Sequence, residues 1–166
     1  EILLFLDSDV EFAHPKFLSN TLAEFSRRKL DAAAFKLVPN KGKTIDRMAH
    51  FCWNAVAWAT QGFLPHGSQA MMIKKTTHIA IKGFDEEITF VEDHPYVREA
   101  GRIGRFGFIR KEPVFVSVRR YEKDGRFKTY VKYILSGFYM IFIGPIKSDI
   151  FKYKFGHYES ETKTKK

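Results

Sequence analysis

Asp7 and Asp9 stand two residues apart at the end of the apolar run Ile2 to Leu6, in the stretch EILLFLDSDVEF. In an extended chain both side chains leave on the same side, and two carboxylates so placed repel each other. A divalent cation with oxygen ligands, magnesium or manganese shared with substrate phosphates, resolves that repulsion; a pair of loop acids capping the next helix is the plainer alternative. A second acidic pair, Glu92 and Asp93, precedes Pro95 at an expected helix start. Acids there meet the positive end of the helix dipole and need no catalytic purpose. The third group is basic: Arg119, Arg120 and Arg126 in SVRRYEKDGR. Their guanidinium forks match diphosphate oxygens, and a solvated basic loop is the alternative. The histidines show no pair spacing typical of zinc; His66 and His94 are the two nearest the suspected chemistry.

Elements must hold these groups in place. Ile2 to Leu6 is too short for a helix and fits a strand buried on both faces, as in parallel sheets covered by helices. Pro15 suits a first helical turn, and Phe17, Leu18, Leu22 and Phe25 recur at helical spacing up to Arg27, Arg28 and Lys29. Ala32 to Val38 reads as a second strand closed by a turn at Pro39 to Gly42. From Thr44 a helix is expected, with Ile45, Met48, Ala49, Cys52, Ala55, Val56 and Ala59 on its core face, ending before Gly62. A turn at Pro65 to Ser68, a strand from Ala70 to Ile73 and a polar hairpin or loop lead to Gly83, Phe84 and Asp85. A helix from Glu92–Pro95 to Gly101 precedes two strands, near Arg105 to Ile109 and Val114 to Val118. This alternation predicts an α/β layered fold.

The 166 residues, 45% of them hydrophobic, suffice for one domain with a real core and exclude a disordered tail. A net charge of +9 favours a polyanionic partner: nucleic acid, an anionic membrane or phosphorylated substrates. The single cysteine, Cys52, forms no internal disulfide and reads as a small buried residue. Between Arg102 and Lys132 ten Lys or Arg face three acids, and Tyr133 to Ile146 is then apolar apart from Ser and Gly. That stretch is shorter than the roughly 20 residues of a membrane span. It fits a core helix or a segment in the membrane interface equally well, with Lys147, Lys152 and Lys154 following and ESETKTKK as a frayed end.

An apolar strand ending in DSD, then GSQAMMIKK, IKGFDEEITFVEDHPYVREAG and VSVRRYEKDGR, resembles the C-terminal half of a family 2 glycosyltransferase with the GT-A fold, over residues 1–128. The order of DxD, GFDE and ED is its most specific part. The resemblance implies a partial, Rossmann-like α/β sandwich, followed by an apolar and basic helical tail at 129–166. It implies inverting transfer of a sugar from a nucleotide-sugar to a glycan or lipid-linked acceptor, at the cytoplasmic face of the membrane. Matched residue by residue, Asp7 sits near the ribose and metal and Asp9 holds the Mg2+ or Mn2+ ion that bridges the donor diphosphate. Asp93 is then the base for the acceptor hydroxyl, with Glu92 in support. Arg119 and Arg120 close on the leaving diphosphate, while Gly83, Phe84 and Asp85, with His94 beside them, shape the pocket. Lys82 stands where the family often has the first of two glycines. The chain opens on Glu1 and runs straight into a strand that ought to be central; a longer parent with N-terminal nucleotide-binding strands is expected, and inactivity of this piece alone. Haloacid dehalogenase phosphatases also begin with a strand and DxD, but have Thr or Val where this chain has Glu11. The alternative of another class is a basic module for anionic membrane or nucleic acid without catalysis, although no nucleic-acid recognition pattern supports the latter.

Overall fold

The computed structural model describes residues 1–147. Five strands, β1 (Ile2–Leu6), β2 (Val10–Phe12), β3 (Ala32–Asn40), β4 (Ala70–Lys74) and β5 (Phe106–Ser117), form one mixed sheet in the order β1-β4-β3-β5-β2. Among the described residues six helices accompany it: α1 (Phe17–Arg27), α2 (Thr44–Thr60), α3 (Lys75–Ala80), α4 (Asp93–Ile103), α5 (Arg119–Asp124) and α6 (Arg126–Phe142). Strand side chains alternate between two cores. Ile2, Leu4, Ala33, Phe35, Ala70 and Met72 meet Phe17 and Phe25 of α1 on one face. Leu3, Phe5, Ala34, Met71 and Ile73 meet Tyr96, Val97 and Ala100 of α4 on the other. The result is a helix, sheet, helix sandwich of the mixed α/β class.

The parallel setting expected for β1 is not found. β1 runs antiparallel to β4 at the edge of the described sheet, and only β3 with β5 is parallel. Both its faces do carry apolar side chains, half-buried rather than fully covered. The two strands expected near Arg105 and Val118 are a single strand, β5. Its register against β3 shifts between Phe35 and Leu37, where Ile109 gives way to Val114 as the partner, so the residues around Pro113 bulge out of the ladder. The polar segment after β4 is the short helix α3, closed by Lys82 at φ 63° and Gly83 at φ 76°. Lys82 thus already holds the left-handed conformation a glycine would adopt freely.

The larger surprise is α2, whose expected core stripe faces outward. Ile45, Met48, Cys52 and Val56 are exposed, while Asp46, His50, Asn54 and Ala57 are buried against β3 and the start of α6. Polar side chains are tolerated inside because they are bonded. Asn54 clasps Leu37, taking its N–H at 2.9 Å and donating to its carbonyl at 2.8 Å. Asp46, 0% exposed, accepts from Arg126 Nε at 3.0 and 3.1 Å, from the Tyr130 hydroxyl and from the Lys43 N–H. Burial pushes the Asp46 carboxyl up, but the bonds from Tyr130, Lys43 and Arg126 outweigh it and hold the group below the usual range.

α6 takes up most of the apolar stretch, and it is not a core helix: it buries Thr129, Ser136 and Met140 and exposes Ile134, Leu135, Phe138, Ile141 and Phe142. The expected division after residue 128 falls in its first turn, with Asp46 binding Arg126 and Tyr130 on either side. Beyond α6, Ile146 is buried and bridges Phe90. Among the described residues no helix is long and apolar enough to cross a membrane. The expectations for Lys152, Lys154 and the frayed end lie outside the described residues.

Candidate active site

The acids at the end of β1 are placed by strand pairing. Leu6 pairs with Ala70, and the Asp7 N–H then bonds the Gln69 carbonyl at 2.9 Å. The chain next enters β2, on the opposite edge of the sheet. Four residues from Leu6 to Val10 reach at most about 14 Å, less than the roughly 19 Å across a flat five-strand sheet. The sheet is therefore not flat between these two edges, and Asp7 and Asp9 sit in the short connection that joins them.

A cavity of about 630 Å³ opens beside them, lined by Asp7, Gln69, Phe84, Asp85, Glu92 and Asp93 among others. Asp93 is delivered by the first turn of α4, and two features press it there. Gly67 lies so close that a Cβ on it would meet the Asp93 Cβ at 2.3 Å and its carbonyl oxygen at 2.5 Å. Val91, just ahead of the pair, has φ 52°, a left-handed conformation that costs a β-branched residue about 1–3 kcal/mol. Phe84 stacks on Tyr96 with centroids 3.9 Å apart, and Phe5 meets both edge-on. That aromatic wall fixes the GFDE segment behind the left-handed Gly83.

The electrostatics share one cause. Burial raises the Asp7 carboxyl above its ordinary value; Asp9 and Glu92 push the same way, while a Gln69 hydrogen bond and Arg120 oppose them. Burial, then Glu92 and Asp7, push Asp93 up to about 8. The helix dipole that favours an ionised acid at this position is outweighed. The cavity thus gathers carboxyl groups whose mutual repulsion and burial outweigh the Gln69 hydrogen bond and the Arg120 charge at Asp7.

Not every residue singled out from the sequence comes to this cavity. Asp7, Phe84, Asp85, Glu92 and Asp93 line it; Asp9 lies near enough to act on Asp7. Arg120 acts on Asp7 and hydrogen-bonds Tyr133 of α6. Arg119 opens α5 with its N–H on Ser117 Oγ at 3.2 Å. Arg126 points elsewhere, to Asp46 and to Glu122 at 3.0 Å. Asp85 lies 3.3 Å from Lys147. Its own turn, with the Glu87 N–H on its carboxylate, and Lys147 hold its pKa below the usual range. His94 does not line the cavity. Its Nδ1 accepts the Gly67 N–H at 3.0 Å, and its ring packs edge-to-face on Trp53 and His66. Burial first, then His66 and Arg98, lower it to about 3, so it stays neutral and serves to position the Gly67 turn against Asp93. His66 is lowered to about 4 by burial and Arg98, and its buried Nε2 has no partner among the described residues.

Gln69 and Tyr133 are the residues that sequence reasoning passed over. Gln69 faces Asp7 only because β1 and β4 pair antiparallel, and Tyr133 reaches Arg120 only because α6 packs back against the short helix α5 before it. Were a cation to bind here, Asp7 and Asp9 would be the two hard oxygen ligands, of the kind Mg2+ or Mn2+ takes along with substrate phosphates and water. Among the described residues no three His, Cys, Asp or Glu side chains form a protein-only metal cage. Neither a known protein-family model nor a curated protein matches this chain.

Proposed function

We propose that the chain belongs to an inverting, metal-dependent family 2 glycosyltransferase of GT-A fold. It would transfer a sugar from a nucleotide-sugar to a hydroxyl of a glycan or lipid-linked acceptor at the cytoplasmic face of a membrane. The observation that carries the reading is that Asp7 and Asp93, remote in sequence, line one cavity in which both carboxyls are raised by burial and by each other's neighbours. In this reading Asp9 and Asp7 hold the cation, which when bound supplies positive charge opposite the leaving diphosphate. Arg120, already beside Asp7, and Arg119 add guanidinium charge on the same side, preorganised for the charge that develops on the leaving group. Asp93 accepts the proton of the attacking hydroxyl. Burial first, then Glu92 and Asp7, keep its own proton on at neutral pH, and a cation held by Asp7 would remove one of these contributions and make Asp93 a stronger acid. Phe84 and Asp85 form the wall against which the reacting groups are held, and Gly83, which does not itself line the cavity, turns the chain into it.

The test is sugar transfer, or donor hydrolysis, by the polypeptide containing this chain, with a panel of nucleotide-sugars and Mg2+ or Mn2+. Loss of two or more orders of magnitude in kcat is expected for Asp93→Asn, and loss of metal dependence for Asp9→Ala. Wild-type rates in both variants would refute the roles given to Asp93 and Asp9, and no transfer with any donor would leave the chain as a basic binding module without catalysis.

A further inference from the structure

At the opposite end of the sheet, where β3 and β5 begin, lies a second cavity of about 790 Å³ between α4, the loop after α2 and the end of α6. Four guanidinium side chains belong to its lining: Arg28, Arg98, Arg102 and Arg105. Arg28 is engaged by Glu24 at 2.9 Å and by Gln61, and Arg102 by Glu99. The nearby carboxylate Asp31 is neutralised by Lys74 at 2.8 Å. Arg98 and Arg105 have no carboxylate partner among the described residues; Arg98 reaches the carbonyls of Pro65 and Met140, both at the long distance of 3.4 Å. Half-buried and beside Arg102, its charge is held where an anion would be welcome.

The rim of this cavity is apolar and open. Phe63 and Ile141 line it, and Phe142 and Ile143 follow; Phe63 and Phe142 are each 79% exposed. From Arg126 to Lys147 the sequence contains no Asp or Glu. α2, which runs from Asp46 beside the start of α6 to Gln61 on the same cavity, also turns apolar residues outward, and its one acid is buried. Guanidinium charge set behind a projecting aromatic rim matches a lipid surface, with phosphates outermost and hydrocarbon beneath.

We propose that this arginine-lined cavity binds the phosphate of an anionic membrane lipid, with Phe63, Ile141 and Phe142 entering the acyl region around it. The site is separate from the Asp7–Asp93 cavity and does not depend on what that cavity does. Binding of the purified chain to phosphatidylcholine vesicles with and without phosphatidylglycerol, measured by co-sedimentation, tests it. Binding is expected only with the anionic lipid, weakened about fivefold by Arg98→Gln and about fivefold by the exposed Arg102→Gln. The double variant Ile141→Ser, Phe142→Ser is expected to weaken it about tenfold or more. Inorganic phosphate serves as the soluble probe. Full competition by phosphate, with no effect of the Ile141/Phe142 double variant, would overturn the lipid assignment in favour of a free-anion site. Equal binding to neutral vesicles, or unchanged binding in both arginine variants, would overturn it outright. So would a sedimentation mass showing a dimer that the double variant dissolves, with no vesicle binding by the parent chain, because the face would then be a contact between copies.

Discussion

Asp93→Asn is expected to make the protein more stable, and increasingly so as pH rises. Burial and the charges on Glu92 and Asp7 lift the Asp93 carboxyl from 3.8 to about 8. A carboxyl with a raised native pKa binds more protons folded than unfolded between those two values, so unfolding gains in favour as pH rises through the window. Its penalty is absent below pH 4, grows by about 1.4 kcal/mol per pH unit, and levels off above about pH 8 at an upper bound of about 6 kcal/mol. Asparagine has nearly the same shape and no charge, so the penalty vanishes. The assay is urea unfolding of both proteins from pH 4.5 to 9, followed by tryptophan fluorescence. Trp53 reports from the Gly67 turn, where it packs on His66 and His94. Those rings titrate at about 4 and about 3, too low to change its signal through most of the range. Other titrating groups are shared by the two proteins and cancel in the difference. A difference in stability that is constant with pH, or that shrinks as pH rises, would refute the reasoning.

Two further outcomes follow from the same contacts. Asp46→Ala leaves Arg126 and Tyr130 without their shared acceptor and should cost about 3–5 kcal/mol; since the lowered carboxyl contributes stability above its unfolded pKa and loses it as pH falls through the native one, the variant should also lack that part of the acid destabilisation seen in the parent, both read from urea midpoints across pH 2.5–7. Gly67→Ala forces a methyl into Asp93 and should cost about 1–3 kcal/mol, with transfer activity falling by more than stability explains, measured as kcat at a temperature where both proteins are folded.

What the sequence disclosed, and what it hid, divides along one physical line. The apolar run ending on Asp7 and the acids ahead of Pro95 were legible, because a strand, its end and a helix start each have local signatures. The antiparallel pairing of β1 with β4 was not: pairing sense is a property of two segments, and Gln69 became a neighbour of Asp7 only through it. The α2 helix was legible from its 3.6-residue period, but its orientation was read backwards. The period shows that two faces differ, and the assignment of the apolar one to the core assumes that polar side chains find no partners inside. Asp46 and Asn54 do find them, in Arg126, Tyr130 and the Leu37 backbone, and none of these contacts is local. For the same reason Arg126 looked like a phosphate ligand and is a strut, and His94 looked like a pocket residue and is a wedge behind the Gly67 turn.

The Asn54 clasp on Leu37 has a mechanical consequence. It engages the backbone of β3 just past the point where its register with β5 shifts, taking both the N–H and the carbonyl of one residue. A helix advances about 100° per residue, so rolling α2 far enough to hide Met48 or Cys52 would tear out both bonds and strand two buried backbone groups. Asn54 therefore acts as a rotational detent. The greasy side of α2 is held outward against its own tendency to turn in, by this amide gripping the strand behind it together with Asp46 at the other end of the helix.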